Sequence, residues 1–157
     1  VTQTCVAMYA GSETSINQLG GAPGSQHVEA QDDAVRTHSN SEMVYIAGRW
    51  KVDPGKALRI RIRPPDQGFV YWGFVILNPW LESYDFRHIK VATNNVLAEA
   101  EADGSWELFV SDADPGKPNW IDTNGRHEGF MLLRWVRVES APPTPECEIV
   151  DTEILAD

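Results

Sequence analysis

The chain has 157 residues, a length that fits one domain with an apolar core of its own. Its 23 acidic and 13 basic side chains give a net charge of −10, which argues against nucleic acid or an anionic membrane surface as a partner, because both attract basic patches. No stretch approaches the roughly 20 apolar residues that cross a bilayer, so membrane insertion is not expected.

Residues 1–42 are predicted to form an edge strand and a long polar arm rather than part of the core. The edge strand would cover residues 4–9, and residues 11–42 are dominated by Gly, Ser, Asn, Gln, Thr and Asp without a sustained apolar period. The first residues lack the basic start and apolar run of a signal peptide, so we expect any export signal to have been removed.

Residues 43–157 predict an all-β fold, an antiparallel and jelly-roll-like β-sandwich. Short β-branched and aromatic runs alternate with turn-forming segments, which is typical of antiparallel architecture. Helix is not expected, because Gly or Pro interrupts every apolar period of 3.6 residues. The predicted strands cover residues 43–52, 57–63, 69–77, 86–92, 95–102, 105–111, 129–139 and 147–154.

Large apolar side chains within these strands are the predicted core. The set comprises Trp50, Phe69, Tyr71, Phe74, Val75, Leu77, Phe109, Phe130, Leu132 and Val136. Six tryptophans could also serve as a platform for carbohydrate, but core packing is the preferred interpretation because Trp is highly buried on average. Trp80 and Trp120, which are flanked by turn residues, are the two candidates for exposure.

Two stripes of opposite charge are predicted on strand faces. Strict alternation places Arg59, Arg61 and Arg63 on one face of a strand. A second alternation does the same for the acidic residues Glu99, Glu101 and Asp103. The preferred interpretation is a solvated sheet face with weak ion pairs. The alternatives are a docking surface for a copy of the same protein and, for the arginines, an anionic ligand.

The segment from Asp103 to Trp135 predicts two strands and a long loop. Asp103-Gly104 is a turn signal that would join residues 95–102 and 105–111 into a hairpin. In the loop, Asn119 and Asp122 would satisfy backbone groups while Trp120 closes the core edge. The alternative is a polar binding pocket at the rim of the sandwich, formed by His88, Asn95, Asn119, Trp120, Asp122 and Arg134.

Residues of about 66–139 resemble a bacterial family, the domain of unknown function 1214. The resemblance depends on Thr93-Asn94-Asn95, Asp103-Gly104-Ser105, Asp114-Pro115-Gly116, Pro118-Asn119-Trp120-Ile121-Asp122, Gly129 and Leu133-Arg134-Trp135. The resemblance implies a jelly-roll sandwich of the kind found at the end of larger exported or envelope-associated proteins. The family has no established activity, so the resemblance implies none for this chain. Residues 1–42 fall outside it.

Catalytic and metal sites have little support in the sequence. The four histidines are scattered, no Ser lies in a nucleophile elbow, and no Cys/His zinc spacing occurs. We therefore favour a non-enzymatic protein without a cofactor and leave the enzymatic alternative open. A calcium site in loops is a weak alternative, because oxygen ligands lie close in sequence. Its ligands would be Asp112, Asp114, Asp122 and Asn124.

Cys5 and Cys147 lie near opposite ends of the chain and predict a disulfide that ties the termini together, hence an extracellular, envelope or periplasmic location. Two functions from different classes remain. The favoured one is a non-enzymatic, structural module that associates with copies of itself, in part by adding the segment Thr2 to Tyr9 to a neighbour's sheet edge. The alternative is a sandwich that binds a small molecule or carbohydrate, or acts as an enzyme, through the rim pocket.

Overall fold

Nine β-strands and one helical turn form the part of the chain that the computed structural model describes, Tyr9–Ala10 and residues 43–155. The strands are β1 (Tyr9–Ala10), β2 (Met43–Lys51), β3 (Lys56–Ile62), β4 (Tyr71–Leu77), β5 (Ala92–Asn94), β6 (Trp106–Ser111), β7 (Trp120–Asp122), β8 (Glu128–Val136) and β9 (Glu146–Asp151). The turn of helix, α1, covers Thr152–Leu155. No helix within these residues is long and apolar enough to span a membrane.

The strands form two sheets that pack face to face. The five-stranded sheet has the order β1-β2-β8-β4-β5, and the four-stranded sheet has the order β7-β6-β3-β9. All pairings are antiparallel except that of β6 with β7, which is parallel. The predicted all-β sandwich is therefore confirmed.

The core lies between the sheets and follows from the two-residue period of the strands. In β4 and β8, Trp72 and Trp135 point inward and are fully buried, as are Ile60 and Leu108 from the opposite sheet. The ring of Phe69 stands edge-on to Trp135, with 5.0 Å between the ring centroids. An aromatic pair of this kind adds about 0.5–1.5 kcal/mol beyond its buried area.

The predicted core was only half right, because it mixed the two faces of β4 and β8. Trp50 and Phe74 are buried between the sheets as predicted, Phe109 and Phe130 are buried on the outward sides of β6 and β8, and Phe69 is half-buried against the core. Five others point away from the opposite sheet and are only half-buried, whereas their chain neighbours Trp72, Ile76, Met131, Leu133 and Trp135 are fully buried. The five are Tyr71, Val75, Leu77, Leu132 and Val136.

Six of the predicted strands are confirmed with small shifts at their ends, as β2, β3, β4, β6, β8 and β9. Of the predicted edge strand at residues 4–9, the described part is Tyr9, which with Ala10 pairs with β2 of the same chain. Residues 11–42 of the predicted arm lie outside the described residues.

The strands predicted at residues 86–92 and 95–102 are wrong, because side chains there hold turns. Asp85 Oδ1 accepts a hydrogen bond from the backbone N–H of Arg87 at 3.2 Å. Asn94 acts in the same way, since its Oδ1 accepts from Val96 and Leu97. Local hydrogen bonds of this kind compete with strand pairing. What remains between the two turns is the three-residue β5.

The predicted hairpin of residues 95–102 with 105–111 does not form, although its turn does. Gly104 has a positive φ of 81°, which glycine adopts without steric cost. The turn joins the irregular segment after β5 to β6, and so carries the chain from the five-stranded sheet to the four-stranded one.

Candidate functional site

The outward side of the five-stranded sheet, here called the apolar face, is the candidate site. Strand alternation places its members opposite the buried residues of the same strands, and most of them are half-buried. They are Met43, Tyr45, Ala47, Arg49, Tyr71, Gly73, Val75, Leu77, Ala92, Asn94, Phe130, Leu132, Arg134 and Val136. The same alternation places Lys51 and Glu128, which are register partners, at one end of this face, so the rest of the face combines apolar surface with positive charge.

A groove of about 320 Å³ lies on this face, where β2, β8, β4 and β5 are adjacent. One register row across the sheet reads Tyr45, Arg134, Gly73, Asn94. An added Cβ at Gly73 would lie 2.7 Å from the hydroxyl oxygen of Tyr71, so a larger residue there would require the Tyr71 side chain to shift. The apolar side chains that line the groove include Val75, Ala92, Leu97 and Leu132.

Arg134 supplies the positive charge of the groove. Its guanidinium carbon lies 5.6 Å from the centroid of the Tyr71 ring, a distance that permits cation–π attraction. Arg59, Arg61, Arg63 and Arg87 each have a carboxylate within salt-bridge distance. Within residues 43–155, no salt bridge is formed by Arg134. Its charge therefore remains uncompensated by a carboxylate of that region.

The outward side of the four-stranded sheet, here called the charged face, has the opposite character. Arg59 bridges two strands, with nitrogen–oxygen distances of 2.9 Å to Glu107 on β6 and 2.7 Å to Glu148 on β9. Arg63 lies 3.0 Å from Glu146. The predicted arginine stripe thus lies on a sheet face, but β6 and β9 provide most of its acidic partners.

Among the residues of the predicted acidic stripe, Asp103 alone forms a salt bridge with the arginine stripe in the described part of the chain. Arg61 Nη2 lies 2.6 Å from the Asp103 carboxylate. Its pKa falls from 3.8 to about 2, chiefly because the Ser105 hydroxyl and backbone N–H donate hydrogen bonds to it, and further because of Arg61. Glu99 and Glu101 instead lie in the exposed irregular segment after β5, so the idea of two complementary strand stripes was wrong.

The predicted rim-pocket residues do not converge on one pocket. Asn119 is buried, and its side chain clamps the backbone: Oδ1 accepts from the N–H of Glu99, and Nδ2 donates to the carbonyls of Glu99 and Glu107. Trp120 is half-buried and donates to the Ser111 carbonyl at 3.2 Å. These two side chains therefore have structural roles.

The other members of that set are spread over the molecule. Asn95 accepts a hydrogen bond from the backbone of Trp72, and Asp122 accepts one from the backbone of Asn124. The side chain of His88 is 76% exposed in the turn before β5. Arg134 lies on the apolar face, on the other sheet from Asn119 and Asp122.

The predicted calcium ligands also have turn-forming roles. Asp114 accepts from the N–H of Gly116 at 2.8 Å, and Asp122 accepts from that of Asn124 at 2.6 Å. Asp112 and these two carboxylates form no metal-holding group, since residues 43–155 contain no such cluster of three or more His, Cys, Asp or Glu. Cys147 lies half-buried on β9, and Cys5 lies outside the described residues, so their disulfide stays a prediction.

Exposed apolar side chains are concentrated around β5, at one edge of the five-stranded sheet. Trp80 and Phe86, in the connection that precedes β5, are 78% and 72% exposed. Val96 and Leu97, directly after β5, are 80% and 73% exposed, and Leu97 also lines the groove. Trp80 is thus exposed, as the sequence suggested.

Sequence reasoning missed Tyr45, Tyr71, Gly73 and Leu97 as site residues. A signal was present, because β4 and β8 are apolar at nearly every position rather than at every second one. Such runs are typical of strands covered on both faces.

Two solved structures share this fold. An uncharacterized protein from Burkholderia cenocepacia superimposes with a TM-score of 0.70 and 25% identity, over 94% of this chain and 36% of its own. The VPA0106 protein from Vibrio parahaemolyticus gives 0.52 and 16%, over 70% of this chain and 31% of its own, which shows the fold alone. This chain thus spans about a third of the length of either protein. Neither a family model nor a curated protein matches it.

Proposed function

We propose that this chain is a non-enzymatic association module of the cell exterior or envelope, and that its apolar face packs against a second copy of the same chain. The observation that carries the proposal is the contrast between the two outward sheet faces. The charged face is well suited to water, whereas the apolar face presents Leu132, Val75 and Tyr45 and carries its carboxylate, Glu128, at the end of β8 opposite Lys51. Large exposed apolar surfaces mark interaction sites in soluble proteins.

Residues around the groove have the chemistry of an interface core. Aromatic side chains and arginine are enriched in such cores, and carboxylates are depleted. Tyr45 and Tyr71 provide the aromatic rings, and Arg134 provides the guanidinium. A groove that is partly open on the outward side of a sheet also suits a protein surface better than a small ligand, which would need enclosure on most sides.

The location outside the cytoplasm rests on the predicted Cys5–Cys147 disulfide. A bridge between these positions would form and persist in an oxidising compartment. Mass spectrometry of the purified chain before and after reduction tests this part separately, because a disulfide lowers the mass by two hydrogen atoms. Two alkylatable thiols in the unreduced protein would contradict it.

Sedimentation equilibrium of the full chain tests the association itself. We expect the wild type to form a dimer at micromolar concentration and Leu132→Glu to be a monomer, because burial of the new carboxylate in an apolar interface would carry a large desolvation cost. Val150→Glu is the matched control, since Val150 is a half-buried apolar residue that alternates with Glu146 and Glu148 on the charged face. This control should remain dimeric. A wild-type chain that stays monomeric at 100-fold higher concentration would overturn the proposal.

A further inference from the structure

The groove has two chemical requirements for its occupant. Its apolar lining, which includes Val75 and Leu132, calls for aliphatic side chains, and Arg134 calls for a carboxylate. Because the guanidinium lies beside Tyr71 at a half-buried position, an approaching anion would meet it in surroundings poorer in water than the open surface. An apolar segment with an acidic residue close in sequence would satisfy both requirements.

The exposed segment Val96–Glu101 of the same chain has this composition. Val96 and Leu97 are 80% and 73% exposed. Glu99 and Glu101 follow at exposed positions, and no salt bridge joins either of them to another residue of the described part of the chain. Aliphatic and acidic side chains therefore stand next to each other with their surfaces accessible.

Two asparagines fix the backbone of this segment in place. Asn94 Oδ1 accepts hydrogen bonds from the N–H groups of Val96 and Leu97, at 2.9 and 3.0 Å. Asn119 binds both the N–H and the carbonyl of Glu99. A segment held in one conformation loses little entropy on docking, and this raises its affinity for a complementary surface.

We infer that the segment Val96–Glu101 of each copy inserts into the groove of the other, with Glu99 or Glu101 pairing with Arg134. The inference rests on the proposed self-association and adds its geometry. Leu97 lines the groove of its own chain, so the segment and the groove are neighbours on one surface. A twofold axis near Leu97 would therefore let each copy give one segment and receive one, as a closed symmetric dimer requires.

Exchange of charges tests the pairing. We expect Arg134→Glu alone, and the double variant Glu99→Arg with Glu101→Arg, to weaken dimerisation at least about 10-fold each in sedimentation equilibrium, as buried charge pairs in interfaces do. The triple variant should regain affinity to within about 3-fold of wild type, because opposite charges meet again. The double variant Asp66→Arg with Glu153→Arg makes the same change in net charge at exposed sites elsewhere and should leave dimerisation unchanged.

The possible outcomes separate this inference from the proposed function. If Arg134→Glu dissociates the dimer but the Glu99 and Glu101 variant dimerises like wild type, the acidic partner is another group and the inference is wrong, although self-association stands. Failure of the triple variant to recover would also contradict the pairing. A monomeric wild type would remove both.

Discussion

The two outward faces of the sandwich rest on one shared core and differ in almost every other respect. The charged face is a network of ion pairs. Arg59, for example, contacts carboxylates from two neighbouring strands. The apolar face has Leu132 and Val75 at the centre of its sheet, positive charge at Arg49 and Arg134, and the register pair Lys51 and Glu128 at one end. Burial in the core accounts for the residues on only one side of each strand. The residues on the other side depend on whether that side contacts water or another protein surface.

Strand sequences carry this difference plainly. In β3, aliphatic and arginine side chains alternate at Leu58, Arg59, Ile60, Arg61 and Ile62, so one face is buried and the other is wet. In β8, Met131, Leu132 and Leu133 are apolar on both sides. A strand of the second kind in an antiparallel sheet indicates a second covering layer, which is the role that the proposed partner copy would have.

The inner and outer sides of β8 give the largest expected effect. Leu133 is fully buried between the sheets, whereas Leu132 is half-buried on the apolar face. We expect Leu133→Ala to lower the free energy of unfolding by about 3–4 kcal/mol, and Leu132→Ala by about 1 kcal/mol, because only the first leaves a closed cavity. Urea denaturation of dilute, monomeric protein measures both, since a partner copy would cover Leu132. Equal losses in the monomer would show that the apolar face is already covered within a single chain.

A second contrast concerns the buried asparagine that ties the segment after β5 to β6. Asn119→Ala removes three hydrogen bonds at a buried position, so we expect a loss of about 2–3 kcal/mol in the free energy of unfolding. Asn124→Ala is the matched control, since Asn124 has a similar positive φ, 52° against 60°, at an exposed position. It should lose about 1 kcal/mol, the cost of a left-handed backbone without glycine or asparagine. If Asn119→Ala lowers the free energy of unfolding no more than Asn124→Ala does, the three hydrogen bonds of Asn119 do not stabilise the fold.

Sequence reasoning located the strands best where one face is wet. The alternation of β3 made its extent and its buried side predictable, and turn residues bounded β2 and β6 well. It was wrong at residues 95–102, where an alternation of Ala with Glu imitates a strand. The side chain of Asn94 holds a turn there, and a periodicity argument does not register such a local hydrogen bond.

The candidate site was less predictable than the fold. Arg134 was among the predicted binding residues, but the other predicted members lie elsewhere, because a polar residue in a loop looks the same whether it binds a ligand or a backbone group. Tyr71 and Leu132 were assigned to the core, since nothing in a fully apolar strand says which side faces the opposite sheet. That choice depends on long-range pairing and not on the local pattern.

The charged face should respond weakly to the loss of a single pair, as exposed ion pairs do. For Arg59→Met we expect a loss of about 1 kcal/mol, because Glu148 loses its partner and Glu107, whose side chain is only 18% exposed, keeps only the longer 3.8 Å contact with Arg61. Arg63→Met is the matched control and should lose less, since both members of its pair are more than half exposed. The difference should shrink in 1 M salt, which screens exposed charges. If it persists there, packing of the arginine stem and not its charge is responsible.

The smallest expected effect lies at Asp103, where the charged face meets the turn before β6. Because folding lowers the pKa of this carboxyl from 3.8 to about 2, its contribution to stability is present above pH 4 and is lost as the pH falls towards 2. Asp103→Asn should therefore be less stable than wild type at pH 6 and should approach wild type at pH 2, in urea denaturation followed at each pH. Ser105→Ala removes the hydroxyl that contributes most to the lowered pKa of Asp103, so it should reduce the same pH dependence.

Asp66→Asn, which removes an exposed carboxylate outside this network, is the control for the general effect of one charge. If the unfolding free energies of Asp103→Asn and wild type change in parallel from pH 6 to pH 2, the contacts of Asp103 with Ser105 and Arg61 do not stabilise the folded state. The charged face near Asp103 would then be solvated surface without a stabilising role.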